Sequence, residues 1–200
     1  KLKFIQPINL MNLIWYKILF RIKDYFDIFI LQFFRRVYYF CCGAQFGKST
    51  RIPLLSINWP HQLSIGNNCI LEDDLIFKYD SICKNGPNIL VADNVFIGNN
   101  TEFNISKKIS IGNDSLIASN CRFIDHDHGT SDLSVSIRLQ MPKINPIMIE
   151  ENVWIGTNST ILKGVSIGKG AIIGAGSVVN KNVPQDEIWG GVPAKFIKKR

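Results

Sequence analysis

Three histidines, no CxxC pair and no long uncharged apolar run are the first limits this chain sets on its own function. His61 stands far from the other two. His126 and His128 are separated by one residue, and with no third histidine near them a zinc site of three histidine ligands is poorly supported. The cysteines are Cys41, Cys42, Cys69, Cys83 and Cys121; their odd number and scattered spacing lead us to expect free thiols in a reducing compartment. Residues 28–34 run without a charge until Arg35 and Arg36 intervene, far short of a membrane span. Pro7, Asn9, Asn12 and Lys17 interrupt the apolar start and no small-residue cleavage site follows, so no secretory signal is expected. Net charge is missing from most of the chain. Of the formal +7, residues 1–51 hold nine Lys/Arg against two Asp, and the remainder holds fourteen of each sign. A basic leader precedes a neutral body, and a nucleic-acid reading based on the pI of 9.2 would be misplaced.

What the chain has instead is a period. An aliphatic residue returns every sixth position at Ile149, Ile155, Ile161, Ile167, Ile173 and Val179. Neither a helix nor an exposed strand produces that spacing, so it marks a repeat whose unit is one short strand plus a turn, stacked into a solenoid. The register extends backward through Ile65, Leu71 and Phe77, through Val91, Ile97 and Phe103, and through Ile111, Ile117 and Phe123. A glycine or alanine follows many of these, as at Gly66, Gly98, Gly156, Gly168 and Gly174, suiting corners where backbones pass closely. Four residues on comes a compact or β-branched residue, as at Cys69, Val95, Thr101, Ser115, Cys121, Ser159 and Ser177.

The interruptions carry information too. Two residues are inserted near Lys107 and Lys108, the stretch from Phe77 to Val91 holds the turn cluster Asn85–Gly86–Pro87, and the stretch from Phe123 to Ile149 is a long excursion. Long insertions in a scaffold used up by packing are where function is expected. The excursion opens with Asp125–His126–Asp127–His128, a histidine pair among carboxylates at a scaffold break. Ahead of the repeat, Ile14, Ile18, Ile22, Phe26, Phe29/Ile30, Phe33 and Val37 recur at helical spacing, and Gly43 is a plausible stop. Two readings stay open for this segment. It plugs or flanks the open end of the solenoid, or residues 1–42 form a basic, aromatic-rich surface for peripheral contact with a membrane.

The tail Val153–Trp154–Ile155–Gly156, Gly174–Ala175–Gly176–Ser177–Val178–Val179 and Gly190–Gly191–Val192–Pro193–Ala194–Lys195 resembles the hexapeptide-repeat acyltransferases. It is most similar to their sugar O-acetyltransferase branch, which includes the maltose and galactoside acetyltransferases and enzymes of capsule and O-antigen. The resemblance covers about residues 43–200. It implies an all-β solenoid, a left-handed parallel β-helix, with an N-terminal α-helical segment and one long inserted loop. We therefore expect a helical segment over 1–50 and a β-helix over 51–200 with its loop at 124–148. Trp154 should face outward, and Lys198–Lys199–Arg200 should fray.

The resemblance also implies the chemistry. The essential histidine falls five residues after the last inward residue of its coil, which from Phe123 gives His128 as general base; imidazole suits that role because it titrates near neutrality. The family has His-Pro where this chain has His128–Gly129, so His126 competes, and Asp125 or Asp127 would orient the ring. An active-site asparagine matches Asn100, with Asn104 as rival, although Asn at a corner also simply tolerates a left-handed backbone. Acetyl-CoA is the implied co-substrate, with no metal. Gly156, Thr157, Gly174 and Ala175 would border its pantetheine arm, and Asn180, Lys181, Lys195 and Lys198 its nucleotide end. The implied enzyme is a cytoplasmic homotrimer acting on a lipid-linked or nucleotide-linked sugar, with Arg138 and Lys143 in the arm near the acceptor and no nucleic-acid partner. The rivals are a carbonic anhydrase of the same fold, a non-catalytic scaffold, and an N-acetyltransferase acting on an amine.

Overall fold

The computed structural model describes residues 14–19, 21, 30–80 and 84–200. From Gln45 onward the chain winds as a three-sided parallel solenoid. One face stacks Gln45–Phe46, Leu63–Ile65, Ile89–Val91, Ile109–Ile111, Ile147–Ile149 and Ser166–Ile167. The second stacks Ile70–Leu71, Phe96–Ile97, Leu116–Ile117, Trp154–Ile155, Ile172–Ile173 and Glu187–Gly190. The third stacks Ser56–Ile57, Ile76–Tyr79, Glu102–Ile105, Arg122–Ile124, Thr160–Leu162 and Val178–Val179. The chain visits the faces in that order on every coil.

The repeat positions explain the winding. The aliphatic of each unit points inward, and the residue four positions later lies inside the next corner; both sets are buried. Along the third face the inward column is aromatic. Phe77 stacks on Phe103 at 4.9 Å and Phe103 on Phe123 at 4.8 Å, with rings nearly parallel. Small hydroxyl residues serve at the corners because their buried oxygens reach carbonyls close by: Ser115 Oγ donates to Glu150 O (3.1 Å) and Ser159 Oγ to Gly174 O (3.2 Å). Corner residues Asn68, Asn94, Asn100, Asp114, Asn120, Asn152 and Asn158 take positive φ, the left-handed conformation that Asn and Asp tolerate best among residues with a side chain.

Two boundaries differ from expectation. The solenoid begins at Gln45, not 51, because Phe46–Gly47 already behaves as an inward residue plus corner glycine: Phe46 pairs with Ile65, and a Cβ on Gly47 would lie 2.4 Å from the Gly66 backbone. The C-terminus does not fray. Lys195–Lys199 turns back antiparallel on Glu187–Gly190, and Arg200 N donates to Asp186 O at 2.8 Å. Trp154 does face outward, half exposed.

The helix Gln32–Cys41 packs on the first coil and stops at Gly43, whose φ is +91°. Its polar side faces the solenoid. Arg36 donates to the carbonyls of Phe46, Gly47 and Thr50, Gln32 to that of Thr50, and the buried Tyr39 hydroxyl meets Leu55. Phe33 and Val37, members of the expected apolar stripe, point outward. Ile14 and Ile18 are helical and exposed, whereas Ile22, Phe26 and Phe29 lie outside the described residues.

Candidate active site

All the insertions leave from one edge. The stretches 58–62, 106–108 and 125–146, together with residues 84–88, lie between the third face and the first, so they stack above one another along the solenoid. All three histidines therefore share that edge. The insertions are bonded to each other. Asn58 Nδ2 donates to Tyr79 O (2.8 Å), Gln62 Nε2 to Lys84 O (2.6 Å), Asn88 Nδ2 to Gln62 Oε1 (2.8 Å) and Lys84 Nζ to Ser106 O (2.8 Å).

Asp125 is the centre of the edge. It is 0% exposed, and its carboxylate accepts the backbone N–H groups of Ser106 (2.7 Å), Lys107 (2.7 Å) and Lys108 (3.0 Å). A buried carboxylate is tolerable when three donors replace its water. The turn 106–108, lengthened by the pair inserted at Lys107–Lys108, thus supplies those donors. Above it, His126 Nδ1 lies 2.9 Å from Ser106 Oγ and 3.2 Å from Asp125 Oδ1, and Ser106 Oγ donates in turn to Asp80. With Ser106 giving its proton to Asp80, the hydroxyl accepts from His126 Nδ1–H, and Nε2 then holds the lone pair. Burial and the nearby carboxylates of Asp125 and Asp80 push the Tyr79 hydroxyl above its ordinary value.

His126–Asp127 pairs antiparallel with Lys143–Ile144, and Asn145 N donates to Asp125 O at 2.9 Å, closing the neck of the excursion. Asp127 pairs with Lys163 of the next coil. His128 is exposed and makes no hydrogen bond among the described residues. Gly129 follows it where a Cβ would lie 2.5 Å from Met141 O, so the close return of the arm selects glycine here. The arm itself, residues 130–142, exposes Leu133, Ile137, Leu139 and Met141, along with Arg138.

The remaining candidates separate onto two edges. Asn180 and Lys181 stand two coils above His126 on the same edge, exposed. Asn100, Gly156, Thr157, Gly174 and Ala175 occupy the edge between the second and third faces. Asn100 is a corner residue, φ 54°, donating to Asn120 Oδ1 at 2.7 Å, so within one chain it is not brought to the histidines. Asn104 is nearer to them: it pairs in register with Ile124 on the strand that leads into Asp125. Gly156 is taken up by packing, since a Cβ there would sit 2.6 Å from Ala175 N. Gly174 and Gly176 are open; a Cβ would meet nothing nearer than 3.5 Å at the first and nothing within 4 Å at the second. Lys195 is exposed in the final strand. Ser106 and Asp80 carried no repeat signature of their own and were missed in the sequence; Ser106 immediately precedes the two-residue insertion, the one clue available. Among the described residues, no group of three or more His, Cys, Asp or Glu is arranged to hold a metal ion.

Known proteins share this architecture and repeat. Residues 146–181 match the family described as bacterial transferase hexapeptide (six repeats). The chain is 37% identical over 120 residues to the putative lipopolysaccharide biosynthesis O-acetyl transferase WbbJ of Escherichia coli K12, covering 56% of this chain and 60% of that protein. It is 31% identical over 137 residues to the galactoside O-acetyltransferase of the same organism, covering 68% and 63%. The chain thus spans somewhat under two thirds of these relatives. The fold is also that of AntD, an N-acyltransferase of Bacillus cereus solved with dTDP-4-amino-4,6-dideoxyglucose and coenzyme A, with a TM-score of 0.71, 24% identity and 82% and 89% of the two chains covered. The chain carries the hexapeptide repeat and resembles the hexapeptide-repeat acyltransferases, the sugar O-acetyltransferases among them.

Proposed function

We propose that this chain is an acetyl-CoA-dependent O-acetyltransferase acting on a sugar hydroxyl in bacterial surface-polysaccharide assembly. Its coils wind left-handed, and it works in the cytoplasm as a homotrimer with the site between neighbouring subunits. The observation that carries the reading is the histidine pair at the one interrupted edge, anchored from below by Asp125 and left open above at His128. The likeness to two O-acetyltransferases supports it.

The opposite edge fits a coenzyme. Around Gly174–Ala175–Gly176 the backbone is uncovered and no side chain fills the space, which suits an amide-bearing pantetheine arm. Acetyl-CoA supplies the activated acyl group when bound. Because this edge and the histidine edge lie at the two ends of one face, they meet only across neighbouring subunits, and the exposed apolar arm 130–142 supports such a contact. His128 then accepts the proton of the acceptor hydroxyl as its oxygen attacks the thioester carbonyl, and returns that proton to the sulfur as the C–S bond breaks and the thiol leaves, a contribution of about a hundred- to ten-thousand-fold in rate. His126 is the second reading for the base, favoured by its anchored Nδ1, which leaves Nε2 basic.

The test is turnover by thiol release with nucleotide-linked and lipid-linked sugars. His128→Ala should lose at least about a hundredfold while coenzyme A still raises the melting temperature. Wild-type turnover in that variant, with His126→Ala inactive, would transfer the role to His126. A product stable to mild alkali would make the acceptor an amine.

A further inference from the structure

The helix Gln32–Cys41 is turned inside out relative to an ordinary surface helix. Gln32, Arg36 and Tyr39 face the solenoid and are bonded to it, whereas Phe33, Phe34, Val37, Tyr38 and Phe40 form one continuous outward arc. Phe34, Tyr38 and Phe40 are 63%, 63% and 74% exposed. Surface helices normally bury such an arc, and contiguous exposed apolar patches mark interaction sites. The helical residues 14–19 repeat the theme, exposing Trp15, Tyr16 and Leu19.

The charge says what covers the arc. The first 51 residues hold nine Lys/Arg against two Asp, while the rest of the chain is balanced. Among the described residues of this segment Lys17, Arg21, Lys48 and Arg51 are exposed, the last two on the turn whose carbonyls Arg36 holds. A second copy meeting the arc face to face would bring two cationic segments together, and the balanced flank of another solenoid offers them no net opposite charge. An anionic bilayer offers both an apolar interior and negative headgroups. The helix is ten residues long, about 15 Å, and no described helix is long and apolar enough to cross a membrane. It fits a helix lying in the interfacial plane, where aromatic side chains are favoured.

We propose that the helix Gln32–Cys41 docks the protein on an anionic lipid surface through this outward aromatic arc, with the leader's cations on the headgroups. The polar inner side is already locked to the first coil, so docking needs no refolding. The proposal is independent of the transfer reaction.

The experiment is co-sedimentation of the full chain with phosphatidylcholine vesicles that contain or lack phosphatidylglycerol. Binding should be at least about tenfold stronger with the anionic lipid and should fall with added salt. The double variant Phe34→Ser, Tyr38→Ser should lose at least about tenfold in binding, with melting unchanged because neither side chain packs in the core. Equal partition onto both vesicle types, or full binding by the double variant, overturns the proposal. So does wild-type protein that ignores vesicles while its oligomer dissociates in the double variant, the result expected if a second copy covers the arc.

Discussion

Asp125→Asn isolates the device that holds the histidine edge together. The substitution keeps the volume and replaces one accepting oxygen by an NH2 donor. Oδ2 receives Lys107 and Lys108 N–H, and Oδ1 receives Ser106 N–H, all without solvent access. Whichever way the amide turns, one or two backbone donors face another donor. A buried donor left unmade costs about 1–3 kcal/mol, so the loss should be about 2–4 kcal/mol. For a chain of this size each kcal/mol is worth roughly 2–4 °C, which puts the fall in melting temperature at about 4–16 °C. Circular dichroism reads the global effect, and hydrogen exchange at the amides of 106–108 reads the local one. The control is Asp127→Asn, a half-exposed partner of Lys163, which should cost less than about 1 kcal/mol. If the two variants melt together and the 106–108 amides stay protected in both, the carboxylate is not what orders this edge.

Phe103→Ala removes the middle ring of the stacked column and should cost about 3–5 kcal/mol by urea unfolding, with a similar loss for Phe123→Ala. A thiol reagent on the native protein should modify exposed Cys41 and Cys42 well before Cys69 and Cys121, whose thiols burial raises above the usual range, as peptide mapping would report. Gly156→Ala should destabilise by about 1–3 kcal/mol, because its Cβ meets backbone of the next coil. Gly174→Ala, with room for a methyl group, should melt within about 0.5 kcal/mol of wild type yet give a smaller thermal shift with coenzyme A.

The coil was legible because a parallel solenoid repeats its environment every six residues, so that an inward side chain and a corner residue leave a regular trace. Ile97, Ile117, Ile155 and Ile173 stack in register as the spacing implies. The first strand fell outside the expected bounds because Phe46 stands where later coils place an aliphatic. The last strand was missed because a surface hairpin of Lys195–Lys199 has no inward position to mark it. The helix exposes another limit. Periodicity says that one side is apolar, but not which side faces inward; three carbonyls at the start of the first coil select Arg36 over Phe33. At the site, the histidine pair was visible as an irregularity, whereas Ser106 and Asp80 are joined to His126 only through the stacking of three separate insertions.

That stacking has a physical reason. Each inner strand of the solenoid is hydrogen-bonded to the coils before and after it, so extra residues are tolerated only where the chain leaves one face and enters the next. An isolated insertion at a corner would leave unpaired backbone groups beside the core. Insertions on successive coils at one corner satisfy each other: Gln62 serves Lys84 and Asn88, Lys84 serves Ser106, and Asp125 serves the turn below it. The polar column that results is bonded from coil to coil, with Gln62, Ser106 and Asp125 buried within it, and it ends in the neighbouring histidines His126 and His128. The His126 imidazole held on that column is oriented before any substrate arrives, whereas His128, two residues on and exposed, is positioned only by the backbone step from the His126–Asp127 strand. A base on a free surface loop would have to be ordered by the substrate itself, and the binding energy used for that ordering would be lost from the rate.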